Sequence, residues 1–484
     1  MDSQLLARHI ARQWADEIIP CLMAYIAIPA KSPLFDPDWA THGHIERAVD
    51  LALAWARKQA IAGMHLEVVR LARRTPTIFV DIPASKSDTA AQPLLPRDIK
   101  IEAPKTVLLY GHLDKQPEMT GWREGLGPWQ PVVEDGKLYG RGAADDGYAI
   151  FSALSAIAAL QAQGVPHPRC VVLIETSEES GSPDLPAYME ALAPRIGVPD
   201  LVIGLDSGCG DYARLWSTAS LRGMVGGILT VEVLTEGVHS GDASGVVPSS
   251  FRIARQLLSR IEDESTGNIL PAEFHAAIPE ERERQAAQAA QILGRTVYEK
   301  FPFHGSTQPL VPDLTQIVLN RAWRPTLSVT GADGLPPLQG AGNVLHPMTA
   351  LKLSLRLPPA VDAALAAQTL QRLLEANPPH QASVKFDIEQ AASGWSAPAL
   401  APWLERALEH ASQRHYDKAA AFLGEGVTIP FMSMLGRQYP QAQFVITGVL
   451  GPHSNAHGPN EFLHLDYVQR LTCCMAEILA AAAP

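Results

Sequence analysis

Short polar clusters interrupt apolar runs at five places in this chain, and each cluster carries a residue able to bind a metal ion or move a proton. Gly111-His112-Leu113-Asp114 follows the apolar stretch 106–110. Glu175-Thr176-Ser177-Glu178-Glu179-Ser180-Gly181 follows 170–174, and Asp206-Ser207-Gly208 follows 201–205. A loop with His453, His457, Asn460 and Glu461 comes after 444–449, and Asp145-Asp146 sits in the glycine-rich segment 139–147, just before a helical pattern. Imidazole and carboxylate together suit borderline divalent cations. His112 and Asp114 are two apart, so on extended backbone they share a face, and the carboxylate can orient the imidazole or its metal. The adjacent Glu178 and Glu179 point in different directions, which lets one bind metal while the other stays free as a base. Singly, each cluster has an ordinary reading: a solvated Glu pair, a core histidine, an Asp-Ser-Gly turn. Gly140 and Gly142 lack the Gly-x-Gly-x-x-Gly spacing of a nucleotide loop. The joint occurrence of the clusters, each at the end of a predicted strand or the start of a helix, is what points to a site.

The elements that must position them alternate. Strands predicted at 106–110, 170–174, 201–205 and 444–449, with helices between, give an α/β domain with a largely parallel central sheet, whose strand carboxyl ends form the ligand crevice. The stretch 82–104, rich in Pro, Ser, Lys and Asp, reads as a surface loop. After Trp216 the texture changes to a strand at 227–235, a helix at 248–261 with Phe251, Ala254, Leu257, Leu258 and Ile261 at helical spacing, a charged helix at 281–292, a strand at 351–357 and a helix at 361–374. The α/β pattern resumes near Pro398 and ends in a helix carrying Val468, Leu471, Met475, Ile478 and Leu479. The division expected is therefore 1–217 as the first part of one domain, 218–392 as an inserted smaller α/β domain, and 393–484 as the second part of the first.

With 484 residues, 46% apolar and 19% charged, the chain is long enough for two cores and has a globular composition. A net charge of −12 argues against nucleic-acid and anionic-membrane partners. Five scattered cysteines without Cys-x-x-Cys spacing fit a reducing cytoplasm. The longest apolar run, 149–160, falls short of the roughly 20 residues of a membrane span. The first twenty residues read as an amphipathic helix and not a signal peptide.

In this order, GHLD, YGRGAADDG, ETSEESGS, DSG, VHSG and SNAHGPNE resemble the M20 metallopeptidase family, especially its carnosine-dipeptidase-like branch. The resemblance implies a catalytic α/β domain interrupted by a lid domain that mediates homodimerisation. It further implies two divalent ions, zinc first and manganese or cobalt as substitutes, held by His112, Asp145, Glu179, Asp206 and His457. Asp145 bridges them, His112 and Asp206 serve one ion, and Glu179 and His457 the other. Glu178 is then the general base and Asp114 the partner of His112. His239 stabilises the oxyanion from the same or the partner subunit, Arg356 clamps the substrate carboxylate, and Asn343 and Thr428 contact substrate. Two ions, three carboxylates and one hydroxide sum to zero charge, which a crevice tolerates.

The chain departs from the family pattern at two points. Gly147-Tyr148 stands where relatives carry Lys after the paired aspartates, and Lys115 follows GHLD where a small or apolar residue is usual, so a different pocket charge is expected. In relatives the bond after the bridging aspartate, here Asp145–Asp146, is often cis. The function implied is hydrolysis of dipeptides or short peptides. Rivals are an amidohydrolase of N-acyl amino acids on the same centre, and a non-catalytic binding protein on the same fold.

Overall fold

In a computed structural model, residues 1–85 and 106–483 are described; most of the predicted loop 82–104 therefore lies outside the described residues. By its contacts the chain forms two units. The first comprises Met1–Thr218, Ala397–Leu423 and Met434–Pro484; the second comprises Ala219–Ser396 and Gly424–Ser433.

The first unit is built on a six-stranded sheet in the order His65–Val69, Thr77–Ile82, Arg169–Glu175, Thr106–His112, Leu201–Gly204, Gln443–Ile446. The last four strands are mutually parallel and the first two antiparallel. These strands are almost wholly apolar from end to end, as strands covered on both faces must be. The strand predicted at 106–110 runs on through His112, whose Cα partner is Glu175. The strand predicted at 444–449 is regular only as Gln443–Ile446, with a further isolated parallel bridge between Leu450 and Gly208 before the loop that carries His457.

Helix Ala149–Ala162 is buried along nearly its whole surface. Together with the preceding turn, Ala143–Ala162 is long and apolar enough to cross a membrane by length and composition, but 94% of it is buried in the fold, which accounts for its apolarity. Gly111 explains how closely the helix approaches the sheet: a Cβ there would lie 2.4 Å from the Ala149 Cβ and 2.6 Å from Asp146 Oδ2. The chain begins with helix Ser3–Gln13, capped by Asp2, whose carboxylate accepts from the amides of Gln4 and Leu5.

The second unit has a four-stranded antiparallel sheet, Thr326–Asp333, Met348–Leu357, Gly223–Glu232, Ser383–Ala392. Burial alternates residue by residue along Gly223–Glu232, the signature of a sheet covered on one face. The covering helices are Ser250–Leu258 and Ala363–Glu375, which join Val225, Leu229, Leu353, Leu355 and Phe386 in one core. Of the apolar stripe predicted on 248–261, Ala254, Leu257 and Ile261 enter this core, leaving Phe251 as its one exposed member. Gly424–Ser433 belongs with this unit because arginines from three of its elements hold it, as described below.

Candidate functional site

The loops after the parallel strands, together with the turn Ala143–Gly147, bring six side chains of the first unit together. His112 ends its strand fully buried. Its Nε2 lies 3.2 Å from Asp145 Oδ1, 3.8 Å from Asp206 Oδ2 and 4.0 Å from Glu178 Oε2. His457, from the loop after the last parallel strand, places Nε2 3.0 Å from Asp145 Oδ2 and 3.2 Å from Glu179 Oε2. Asp145 thus turns one oxygen to each imidazole. It lies in the turn Ala143–Gly147 with extended-type backbone angles, and the Asp145–Asp146 peptide bond is cis. His453, the other loop histidine, makes no such approach to a carboxylate among the described residues.

Asp114 acts on backbone and imidazole together. Its two oxygens accept from the amides of Glu178 and Glu179 at 3.1 and 3.0 Å, and Oδ1 lies 3.4 Å from His112 Nδ1. Because the Glu178–Ser180 turn is pinned through its amides, both glutamate side chains remain available to the site. Gln116, not singled out in the sequence, donates to Glu179 Oε2 at 2.6 Å. Its position four residues beyond His112 on the same polar loop was the available signal.

The electrostatics are those of a crowded anionic site. Burial, then the charge of Asp145, lifts the Asp206 carboxyl to about 7; burial and Asp206 push Glu178 well above the carboxylate range. Burial opposes charge on His457, but its hydrogen bonds to Asp145 and Glu179 outweigh that and raise it to about 11. Glu179 Oε1 is buried with no hydrogen-bond partner among the described residues. Ligand atoms of His112, Asp145 and Glu179 lie within 4.8 Å of one another, as do those of His112, Glu178 and Asp206. Two imidazoles, crowded carboxylates and an orphaned carboxylate oxygen fit divalent cations, whose charge would relieve the repulsion.

Both departures from the family pattern have local causes. Lys115 does not alter the pocket's charge as the sequence suggested. It is fully buried and points inward, where Nζ donates to the carbonyls of Tyr25 (2.7 Å) and Ile28 (2.8 Å) and lies 3.8 Å from the Tyr25 ring centroid. At Gly147 a Cβ would meet Tyr25 Cε1 at 2.3 Å, so no lysine fits there. Tyr148 is buried, and its hydroxyl donates to the carbonyl of Leu205, next to Asp206. Glu175 accepts from the hydroxyls of Tyr110 (2.6 Å) and Ser182 (2.9 Å), a hydrogen-bonding role behind the site.

A buried ion pair ties the loops together. Arg141 donates to Glu461 Oε2 at 2.5 Å, to the Gly458 carbonyl at 2.8 Å and to the Pro117 carbonyl at 3.2 Å; Glu461 Oε1 accepts from the Gly142 amide at 2.9 Å. Removing one partner leaves the other buried and uncompensated. Arg141→Met is expected to cost about 3–5 kcal/mol, measured by urea unfolding of the first unit's transition, and to loosen the His457 loop. A loss under about 1 kcal/mol would show that the pair contributes little.

The remaining predicted residues lie in the second unit. His239 is exposed on a two-residue strand, Val238–His239, paired with Val344–Leu345, and the Ser240 amide donates to the Asn343 carbonyl at 2.9 Å. Arg356 donates from Nη1 to Thr428 Oγ1 at 2.9 Å, so these two predicted residues are in contact.

The family model for peptidase family M20/M25/M40 matches residues 108–481. The cysteinylglycine-S-conjugate dipeptidase of Corynebacterium striatum is 24% identical over 375 residues, 77% of this chain and 80% of that protein. The Cys-Gly metallodipeptidase of Saccharomyces cerevisiae is 30% identical over 339 residues, 67% and 69% of the two chains. In fold, the crystal structure of human carnosine dipeptidase 1 superposes with a TM-score of 0.72 at 20% identity, covering 99% of this chain and 98% of that one. An M20 metallo-carboxypeptidase from Sulfolobus solfataricus gives 0.73 at 20% identity, covering 96% and 99%. The match spans every cluster that forms the site, and the chain belongs to peptidase family M20/M25/M40, the metal-dependent peptide hydrolases.

Proposed function

We propose that this chain hydrolyses dipeptides and short peptides at a dinuclear metal centre held by His112, Asp145, Glu179, Asp206 and His457, with Glu178 as the general base. The observation that carries the reading is Asp145, which offers one oxygen beside His112 and the other beside His457. Two divalent ions there would lower the pKa of a shared water and polarise the scissile carbonyl. Glu178 takes the water's proton and delivers it to the leaving amine. Asp114 keeps the His112 ring and the 178–179 amides in register. Arg356, with Thr428 beside it, receives the substrate carboxylate through its planar fork. His239 supplies a hydrogen bond to the tetrahedral oxyanion, and Asn343 contacts substrate.

The names of the relatives support dipeptides as the substrate class: one is a cysteinylglycine-S-conjugate dipeptidase, another a Cys-Gly metallodipeptidase. Zinc is the first expectation for the ions, with manganese or cobalt able to replace it. The strand Thr326–Asp333 is a sheet edge, a surface suited to pairing with a second copy in a homodimer. No disulfide joins any of the five cysteines among the described residues, which supports a cytoplasmic setting.

The test is turnover of an unblocked dipeptide panel beside N-acyl amino acids, before and after chelation. Chelation is expected to abolish dipeptide hydrolysis, and added zinc or manganese to restore most of it. Cleavage of N-acyl amino acids alone would assign the centre to deacylation.

A further inference from the structure

Three guanidinium groups from separate elements of the second unit converge on one four-residue segment, Glu425–Thr428. Arg321, at the end of helix Leu314–Ala322, pairs with the Glu425 carboxylate. Arg222, between strands Trp216–Leu221 and Gly223–Glu232, donates from Nε to the Gly426 carbonyl at 3.3 Å, and its amide donates to the Glu425 carbonyl at 3.3 Å. Arg356, on strand Met348–Leu357, reaches Thr428. The segment passes tightly between them: a Cβ on Gly426 would lie 3.0 Å from the Arg321 carbonyl oxygen and 3.1 Å from Arg222 Nη2.

The cluster is unbalanced in charge. Burial, then the charges of Arg356 and Arg321, bring Arg222 down to about 10. Lys300 is a fourth cation nearby, brought to about 8 by burial and by Arg321, with Glu425 pulling the other way. Among the described residues, Glu425 is the one carboxylate that forms an ion pair with any of the four. Arg222 is satisfied by oxygens that carry no charge, including Thr326 Oγ1 at 3.1 Å. Arg356 uses one of its five donors, on Thr428, among the described residues. Four cations against one anion leave a surplus of three, and a dipeptide's α-carboxylate answers one of them. A second negative charge on the C-terminal residue would answer another.

We propose that Arg222, Arg321 and Arg356 make the subsite for the substrate's C-terminal residue selective for acidic side chains, so that dipeptides ending in Glu or Asp are preferred. The inference rests on the peptide-hydrolysis reading and on Arg356 as the receiver of the substrate carboxylate. Arg356 is the docking group; Arg321 and Glu425 set the local charge.

The experiment compares Ala-Glu with Ala-Gln, which differ in charge and hardly in shape. The wild-type kcat/KM ratio is expected to favour Ala-Glu by about tenfold at low ionic strength and to narrow as salt is added. Arg321→Gln removes a positive charge and should lower the ratio. Glu425→Gln removes the negative one and should raise it. A purely structural disturbance would move both variants the same way, and that result, or a wild-type ratio of one or less, overturns the proposal. Calorimetric binding of the two dipeptides to the Glu178→Gln protein reads the same ratio without turnover. An absence of hydrolysis with both peptides would then count against the peptidase reading alone, and the binding ratio would still decide the charge preference.

Discussion

Glu178→Gln is expected to lower kcat by about a thousandfold while metal content stays at the wild-type level. The side chain keeps its volume and loses its ability to accept a proton. Nothing that positions the turn depends on the carboxylate: the turn is held by the amides of Glu178 and Glu179 on Asp114, at 3.1 and 3.0 Å. The Glu178 carboxylate is 16% exposed, with Oε2 4.0 Å from His112 Nε2, close to the ligand cluster and still reachable from solvent. Its ligand-like distance raises a specific alternative, in which Glu178 binds an ion beside His112 and Asp206. The two roles separate by measurement. A general base gives a fall in kcat with two metals per chain and KM little changed; a ligand gives a fall in metal content that extra zinc restores along with activity. Retention of more than about a tenth of wild-type turnover would assign the proton transfer to another group.

The part of this site that could be read from sequence is the part governed by local rules. An apolar run ending in His112, Glu175 or Asp206 announces a buried strand whose carboxyl end opens into a crevice, and the sheet places those ends side by side, His112 opposite Glu175. What could not be read depends on chain segments far apart. Lys115 looks like a pocket charge until the backbone of Tyr25 to Ile28, some ninety residues earlier, is found wrapped over its ammonium. The Arg141–Glu461 pair joins positions 320 apart, and no local pattern marks either as buried. Gly147 looked like a missing lysine, whereas the Tyr25 ring occupies the space a side chain would need. The same holds for Gly424–Ser433, which follows a helix and strand of the first unit in sequence. Its place in the second unit comes from arginines at 222, 321 and 356, and these are unremarkable one at a time.

Asp145→Ala is expected to remove both ions, whereas Asp206→Ala should spare one, and the contrast tests the bridging role directly. Oδ1 and Oδ2 of Asp145 lie 3.2 and 3.0 Å from the two imidazoles, so its loss takes a ligand from each half of the centre. Of the two imidazoles, Asp206 approaches that of His112, at 3.8 Å, among the described residues. Losing even an outer partner of a ligand weakens metal binding by about 10–100-fold, so loss of a shared ligand should exceed about a hundredfold for each ion. Two measurements follow from the same protein. Metal content after dialysis should fall to near zero in Asp145→Ala and to about one per chain in Asp206→Ala. Thermal unfolding of wild type should shift upward with added zinc, since an ion bound only by the folded state stabilises it by about 2.7 kcal/mol at a hundred times its Kd. Asp145→Ala should show almost no such shift. Should the variant keep two tightly held ions, each half of the centre must be complete without Asp145, and the carboxylates of Glu178 and Glu179 would become the ligands that hold them.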